Sequence, residues 1–365
     1  MTHADRQNEA LHLRATVLPD GDVRDVFVVG GRITFTVADD ARTVFDGGYL
    51  VPGLVDAHAH LSLFSPAGDG ASPPARVRAS ARAQLDAGVL AVREPGSPDY
   101  ASQELGPAIG LPWTVTGGHL LAAPGRYFPG LGREITPDEL PAAAAEEVAA
   151  SGAWCKVIAD FFAPGGAITP AFPADALAEA ARVVHAAGGK ITAHATVPEV
   201  IDAVLAAGFD AIEHGTLMRP DQLDALVASG AALVPTLMIG AGILGAVRGF
   251  GGDDTAVERM RRGLAGQGDV VRAAAKRGVP VLAGTDAGMG PHGQVATEIA
   301  MLLRAGLGPA AALGAGSWNA RRYLGLPGID EGAPADLVGY RDDPRQDVEE
   351  LRRPAFVLLH GQRVR

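Results

Sequence analysis

Two histidines separated by a single residue, His58 and His60 in VDAHAHL, are the first side chains in this chain whose types and spacing could do chemistry. Side chains two apart on a strand share a face, so both imidazoles would point the same way. Two neutral imidazoles a few ångströms apart suit a divalent metal ion, with a histidine pair packed in a core as the alternative. Two more histidines, His194 in TAHAT and His214 in IEHGT, close later apolar runs in the same manner. Asp286 in AGTDAG closes another, and a carboxylate there can both ligate a metal and take the proton from attacking water. The other histidines, His3, His12, His119, His185, His292 and His360, have no such common placement.

Lys156 sits inside the apolar run AWCKVIAD. Burying an unpaired ammonium costs several kcal/mol, so the side chain needs a partner. A carboxylate at the rim would serve. Near two cations the free amine could instead combine with carbon dioxide, and the resulting carbamate is an anionic bridge with two oxygens. With Lys156 pointing inward, alternation turns Cys155 outward, as a buried structural residue and not a nucleophile.

Such residues need a scaffold that delivers strand ends to one place. Between about Pro52 and Leu326, eight strand-like runs alternate with Ala-rich helical segments: GLVDAHAHL, GVLAVRE, PWTVTGGH, AWCKVIAD, KITAHAT, DAIEHGT, AALVPT and VPVLAGTDAG. This is the pattern of an α/β protein with a (β/α)8 TIM-type barrel, whose sites lie at the C-terminal ends of the strands. An open doubly wound sheet competes, but no GxGxxG follows the first strand. Residues 1–51 and 327–365 alternate apolar and polar residues around Gly-Gly and Asp-Gly turns, so the two ends are expected to pair as one small β domain flanking the barrel of residues 52–326.

Composition narrows the function further. A chain of 365 residues with formal net charge −11 has no global attraction for phosphate backbones, which argues against nucleic acid as a partner. Cys155 is the single cysteine, which excludes an internal disulfide framework and any cysteine-based zinc cluster. No apolar run approaches the roughly 18 residues of a spanning helix, and the first twenty residues carry charges throughout. The expectation is a cytoplasmic protein acting on a small molecule, with no membrane partner.

Taken in order, VPGLVDAHAHL, Lys156, TAHA, EHGT and GTDAG resemble the amidohydrolase superfamily. PWTVTGGHLL, HGQVATEIAMLLRAGL and SWNARRYLGL resemble its branch of imidazolonepropionase-like proteins and metal-dependent prolidases that cleave Xaa-Pro-type dipeptides. The resemblance implies that the flanking strands form a composite β-sandwich. It implies two divalent metal ions, zinc foremost with manganese, cobalt or iron admitted. His58, His60 and Asp286 would hold one, His194 and His214 the other, with a carboxylated Lys156 and a hydroxide bridging them. Asp286 would accept the proton and pass it to the leaving nitrogen.

The implied activity is hydrolysis of an amide-type bond, in a dipeptide such as Xaa-Pro or in an N-acyl amino acid. Cyclic amides, lactones, carbamates and organophosphate esters are alternatives, as is a mononuclear deaminase or imidazolonepropionase-like enzyme. Lys156 favours two metals. Glu199, five residues after His194, does not match the HxxE spacing expected of a deaminase. A non-catalytic barrel would be expected to have broken ligand positions, and none is broken. Glu94 in LAVREPG replaces an aspartate usual in the family, which bears on the substrate and not on the metals. His119, Arg126, Tyr127 and His292 are the candidate substrate contacts, residues 245–260 a candidate lid, and a homo-oligomer is compatible with this branch.

Overall fold

The structure is a computed structural model that describes residues 9–365. The first eight residues of the predicted N-terminal β segment, His3 included, lie outside the described residues, as does the side chain of Ala241.

The N-terminal alternating segment folds as β1 (Leu11–Val17), β2 (Asp22–Val29), β3 (Arg32–Thr34) and β4 (Arg42–Pro52). The middle of the chain supplies β5 (Leu54–Asp56), β6 (Val89–Glu94), β7 (Trp113–Thr116), β8 (Leu120–Ala122), β9 (Gly132–Glu134) and β10 (Trp154–Ile158). It continues with β11 (Asp160–Phe162), β12 (Ile168–Pro170), β13 (Lys190–Ala195), β14 (Ala211–His214) and β15 (Ala232–Val234). The C-terminal end adds β16 (Leu337–Tyr340), β17 (Phe356–Leu359) and β18 (Gln362–Arg363).

The two ends pair as the pattern predicts, in one seven-stranded sheet ordered β18-β17-β16-β4-β1-β2-β3. Its join is the antiparallel ladder in which Leu337 faces Pro52 and Tyr340 faces Tyr49. Leu13, Val26, Phe45, Leu50, Leu337 and Leu358 form its own apolar cluster.

Between these ends, parallel strands run β5-β6-β7 and β15-β14-β13-β10-β8-β9. Parallel neighbours need crossovers, and the helices provide them: α1 (Pro73–Asp86), α2 (Leu140–Ser151), α3 (Ala174–Ala186), α4 (Pro198–Ala206) and α5 (Leu223–Ser229). A bridge from Ser97 to His119 links the two ladders on one side. On the other, residues 281–287 bridge Leu233 to Val281 and Ala59 to Ala287, and the Ala57 amide donates to Ala283. Val55, Ala91, Trp154, Ala211, Val234 and Leu282, from six different strand segments, touch in one cluster, as an inward-facing layer must. The whole is a TIM-barrel-type α/β fold.

Two expected strands differ from their patterns. The PWTVTGGH run is split at Gly117 and Gly118, the latter at φ +66°, so that β7 pairs with β6 while β8 pairs with β10. The VPVLAGTDAG run makes only isolated bridges, because Asp286 at φ +54° leaves the extended region where the ladder would continue.

After β15 come α6 (Gly240–Gly249), α7 (Asp254–Lys276) and α8 (Val295–Arg304). The candidate lid, residues 245–260, is therefore the end of one helix, a turn and the start of the next.

Candidate metal centre and cavity

His58 and His60 follow β5, and their imidazoles converge with Asp286 from the opposite edge of the ladder. His58 Nε2 lies 3.3 Å from His60 Nε2, and each lies 3.3 Å from Asp286 Oδ1. Hydrogen bonds fix the tautomers. His58 Nδ1 donates to Glu213 Oε2 at 2.7 Å, and His60 Nδ1 donates to the Gly96 carbonyl at 2.6 Å. Both Nε2 atoms then face the Asp286 carboxylate oxygen, so that a shared proton or a cation is needed to hold the three atoms together. The donor set fits a cation: ligands about 2.0–2.1 Å from a tetrahedral zinc stand roughly 3.3–3.4 Å apart.

Glycines let the strands approach this closely. A Cβ on Gly284 would lie 2.6 Å from His58 Cβ, and one on Gly288, at φ +107°, would lie 2.7 Å from His60 Cβ.

His214 and His194 complete the cluster. Their ring centroids are 4.6 Å apart, and His214 is 5.2 Å from His58. Ligand atoms of His58, His214 and Asp286 all lie within 4.8 Å of one another. His214 Nδ1 bonds Thr236 Oγ1 at 2.8 Å, while His194 Nε2 faces Asp160 Oδ1 at 3.6 Å. Lys156, 1% exposed, lines the same cavity as the four histidines and Asp286. Cys155 points the other way into the helix-packed core, as alternation requires, and burial pushes its thiol up.

Electrostatics sharpen this picture. Burial opposes charge on Glu213, but Arg93, His58 and Lys156 outweigh it and hold the carboxyl well below its usual range. Asp286 is likewise held low against burial by His58 and His60. Burial, aided by the Lys156 charge, pushes His194 down to about 3, so its imidazole is neutral. Burial also pushes the Lys156 ammonium down to about 8, toward the amine that combines with carbon dioxide.

Several residues that position the site carry no signal in the sequence reading. Glu213, fully buried, also accepts Arg93 Nη2 at 2.6 Å and the Thr192 hydroxyl, and Arg93 lies over the Trp154 ring. Asp56 accepts the His58 amide, the Thr285 amide and hydroxyl, and Gln84 Nε2, tying the two strand ends together. Asp160 accepts the Thr196 and Val197 amides. Glu298 on α8 accepts the amides of Leu237 and Met238, which follow Thr236. Alternation alone would turn Glu213 away from the face that His214 uses. His214 has φ +69°, which breaks the alternation and lets both reach the site. A carboxylate two residues before His58 (Asp56) and one before His214 (Glu213) is the signal that could have been read.

The candidate substrate contacts divide. Tyr127 lines the cavity. Arg126 does not: its guanidinium donates to the Phe161, Thr169 and Pro170 carbonyls and to the Thr169 hydroxyl, clamping the β11–β12 hairpin. His119 turns toward Glu147, whose carboxylate also takes the Tyr100 hydroxyl, and packs edge-on against the Tyr100 ring. His292 bonds the Leu63 carbonyl through Nε2, its Nδ1 buried without a partner. Glu94 turns from the cavity to accept the Leu61 amide, which braces the His60 loop, and Glu199 is exposed on α4.

Residues 49–364 match the Amidohydrolase family. The chain belongs to that family. An uncharacterized protein of Mycobacterium tuberculosis (strain ATCC 25618 / H37Rv) is 39% identical over 355 residues, covering 96% of this chain and 95% of its own. A crystal structure of a Bifidobacterium longum protein assigned as a prolidase is 25% identical with TM-score 0.81, over 98% of this chain and 94% of that one. A Xaa-Pro dipeptidase with methionine bound in its active site superposes with TM-score 0.82 at 20% identity, over 97% and 99% of the two chains. The Aspergillus-type neighbour, A. niger ochratoxinase, has TM-score 0.80 at 19% identity, over 97% and 95%. Among the described residues no helix is long and apolar enough to cross a membrane. The family makes this amidohydrolase a hydrolase of small molecules.

Proposed function

We propose that this amidohydrolase is a binuclear metal-dependent enzyme that cleaves an amide-type bond in the cavity above His58. The observation that carries the reading is the triangle of donor atoms, each 3.3 Å from the others, formed by the His58 and His60 Nε2 and Asp286 Oδ1. In this reading His58, His60 and Asp286 hold one cation and His194 and His214 a second. A carbamate on Lys156 would supply a further anionic ligand. Zinc suits the imidazole and carboxylate donors, and manganese, cobalt or iron are accepted by the same set. A divalent pair, when bound, supplies hydroxide near neutral pH and polarises a carbonyl.

The chain's own groups do the rest. Asp286 takes the proton released on attack and returns it to the leaving nitrogen, whose departure as an anion would otherwise be prohibitive. Glu213 and the Gly96 carbonyl keep both imidazoles in the metal-binding tautomer. In the same reading the Tyr127 phenol, kept protonated by burial and the nearby Asp286 charge, donates to the substrate carbonyl. The same reading takes residues 52–326 as a complete (β/α)8 barrel, and 1–51 with 327–365 as a composite β-sandwich.

Elemental mass spectrometry of protein purified without chelators tests it. About two equivalents of metal per chain are expected, together with a mass increment on Lys156 that acid removes. One equivalent or less would sink the binuclear assignment and return Lys156 to a structural role. Dipeptides, N-acyl amino acids, lactones and carbamates form the first substrate panel.

A further inference from the structure

The wall facing the imidazoles is unlike the rest of the molecule. Aromatic residues make up only 5% of the chain, yet Tyr127, Phe128, Phe161 and Phe162 all line this one cavity of about 340 Å³. They come from separate segments: the loop after β8 brings Tyr127 and Phe128, and the β11–β12 hairpin brings Phe161, Phe162 and Ile168. Helix α6 adds Ile243. Phe161 is the hub, with its ring centroid 5.0 Å from Tyr127, 5.2 Å from Phe128 and 5.2 Å from Phe162, all edge-to-face. Phe250, from the turn after α6, stacks flat on Phe162 at 4.5 Å and closes the outer side.

Charge is missing from this wall. Among the described residues that line the cavity, the ionisable groups near the site are Lys156, Asp286 and the four histidines, and all belong to the imidazole end. Arg126, the guanidinium next to Tyr127 in sequence, is bound to backbone carbonyls of the hairpin and does not line the cavity. A carboxylate or ammonium placed against these rings would lose its hydration and find no counter-charge. An uncharged ring would gain dispersion and edge-to-face contacts.

We propose that the amide cleaved here carries an uncharged aromatic or branched aliphatic group beside its scissile bond, lodged against the Tyr127–Phe128–Phe161–Phe162 wall, and is not a dipeptide or N-acyl amino acid with a free carboxylate there. The proposal rests on the amide-hydrolase reading and narrows its substrate class.

The test uses a matched pair, 4-nitroacetanilide and 4-acetamidobenzoate, with Phe-Pro as the dipeptide. In the metal-loaded enzyme, kcat/KM for the nitroanilide should exceed those of both others at least about tenfold, a loss of roughly 1.4 kcal/mol or more for the charged probes. Ile243→Arg or Ile168→Arg, each supplying a counter-charge from a partly exposed position, should narrow or reverse that ratio. Calorimetry on the metal-free protein should show the nitroanilide binding at least tenfold more tightly than the benzoate. Equal or tighter binding of the benzoate, or faster cleavage of Phe-Pro, overturns the proposal and leaves the hydrolase reading intact. Preferential binding of the nitroanilide with no hydrolysis of any amide overturns the hydrolase reading and leaves the wall's selectivity standing.

Discussion

At the imidazole end of the cavity three of the proposed metal-binding histidines are each braced by a buried hydrogen-bond partner from another segment, whereas at the aromatic end the rings brace one another. His58 rests on Glu213, His60 on the Gly96 carbonyl and His214 on Thr236, and each bond has one geometry. Phe161, Phe162 and Phe250 rest on edge and face contacts that tolerate small shifts. The first end is built on strand termini and the second on a hairpin, a loop and a short helix. Chemistry needs atoms fixed to a fraction of an ångström, while recognition of an apolar group needs only a shaped dry surface. The two ends should therefore respond to mutation in different currencies: turnover and metal at one, selectivity at the other.

The largest effect is expected from Asp286→Asn, which keeps the shape but removes the proton acceptor. Turnover should fall by about 10³-fold or more with the circular dichroism spectrum unchanged; a small loss would place proton transfer elsewhere. Next comes Glu213→Gln. Metal affinity in a chelator competition should drop about 10- to 100-fold as His58 loses its orienting acceptor. The same change leaves the buried Arg93 charge without its counter-charge, so stability should fall by about 3–5 kcal/mol. Unchanged affinity would mean that Glu213 serves Arg93 alone.

Phe161→Leu should leave metal content intact and lower kcat/KM for aromatic anilides about fivefold, since one aromatic contact set is worth roughly 1 kcal/mol. A change in metal stoichiometry would break the separation of the two ends.

The smallest effect concerns Glu298. Burial raises its carboxyl from 4.5 to about 8 despite two amide donors. The folded state then keeps a proton that the unfolded chain releases, so this contribution to stability is present below pH 4.5 and is lost as pH rises through 8. In Glu298→Gln the melting temperature should decline less steeply between pH 5 and 8.5 than in the parent. Parallel curves would show that Glu298 is ionised throughout.

The legibility of the two ends differs for the same reason. Strand period and motif spacing mark His58, His60, His194, His214 and Asp286, because strand ends converge wherever parallel strands do. The structure brings these and Lys156 to one cavity. Residues whose direction depends on a break in the pattern were not legible: Thr236 has positive φ, and Glu213 reaches the site only because His214 takes positive φ. Nor could Arg126 be read. An arginine in a Gly- and Pro-rich loop looks like a substrate contact until the carbonyls of a hairpin some 35–44 residues away take its donors. Of the aromatic wall only Tyr127 was marked, and Phe128, Phe161 and Phe162 escaped, since its members share no period and meet only through tertiary folding. The pairing of the two chain ends was visible in their alternation, and so was the run of alternating strands and helices. The split at Gly118 and the irregular run before Asp286 were not.

The terminal sheet also sets an order of assembly. β4 has β1 on one side and β16 on the other, and Val51 meets Val338 only after nearly the whole barrel has been synthesised. On the ribosome, β1 to β4 can pair among themselves early, but β4 then presents an unpaired edge until Leu337–Tyr340 emerges. An open edge of this kind is a template for pairing with other chains. The strand that completes the sheet is thus a closing stitch, and a nascent chain stalled before it would carry its aggregation hazard beside β4 and not at the metal centre.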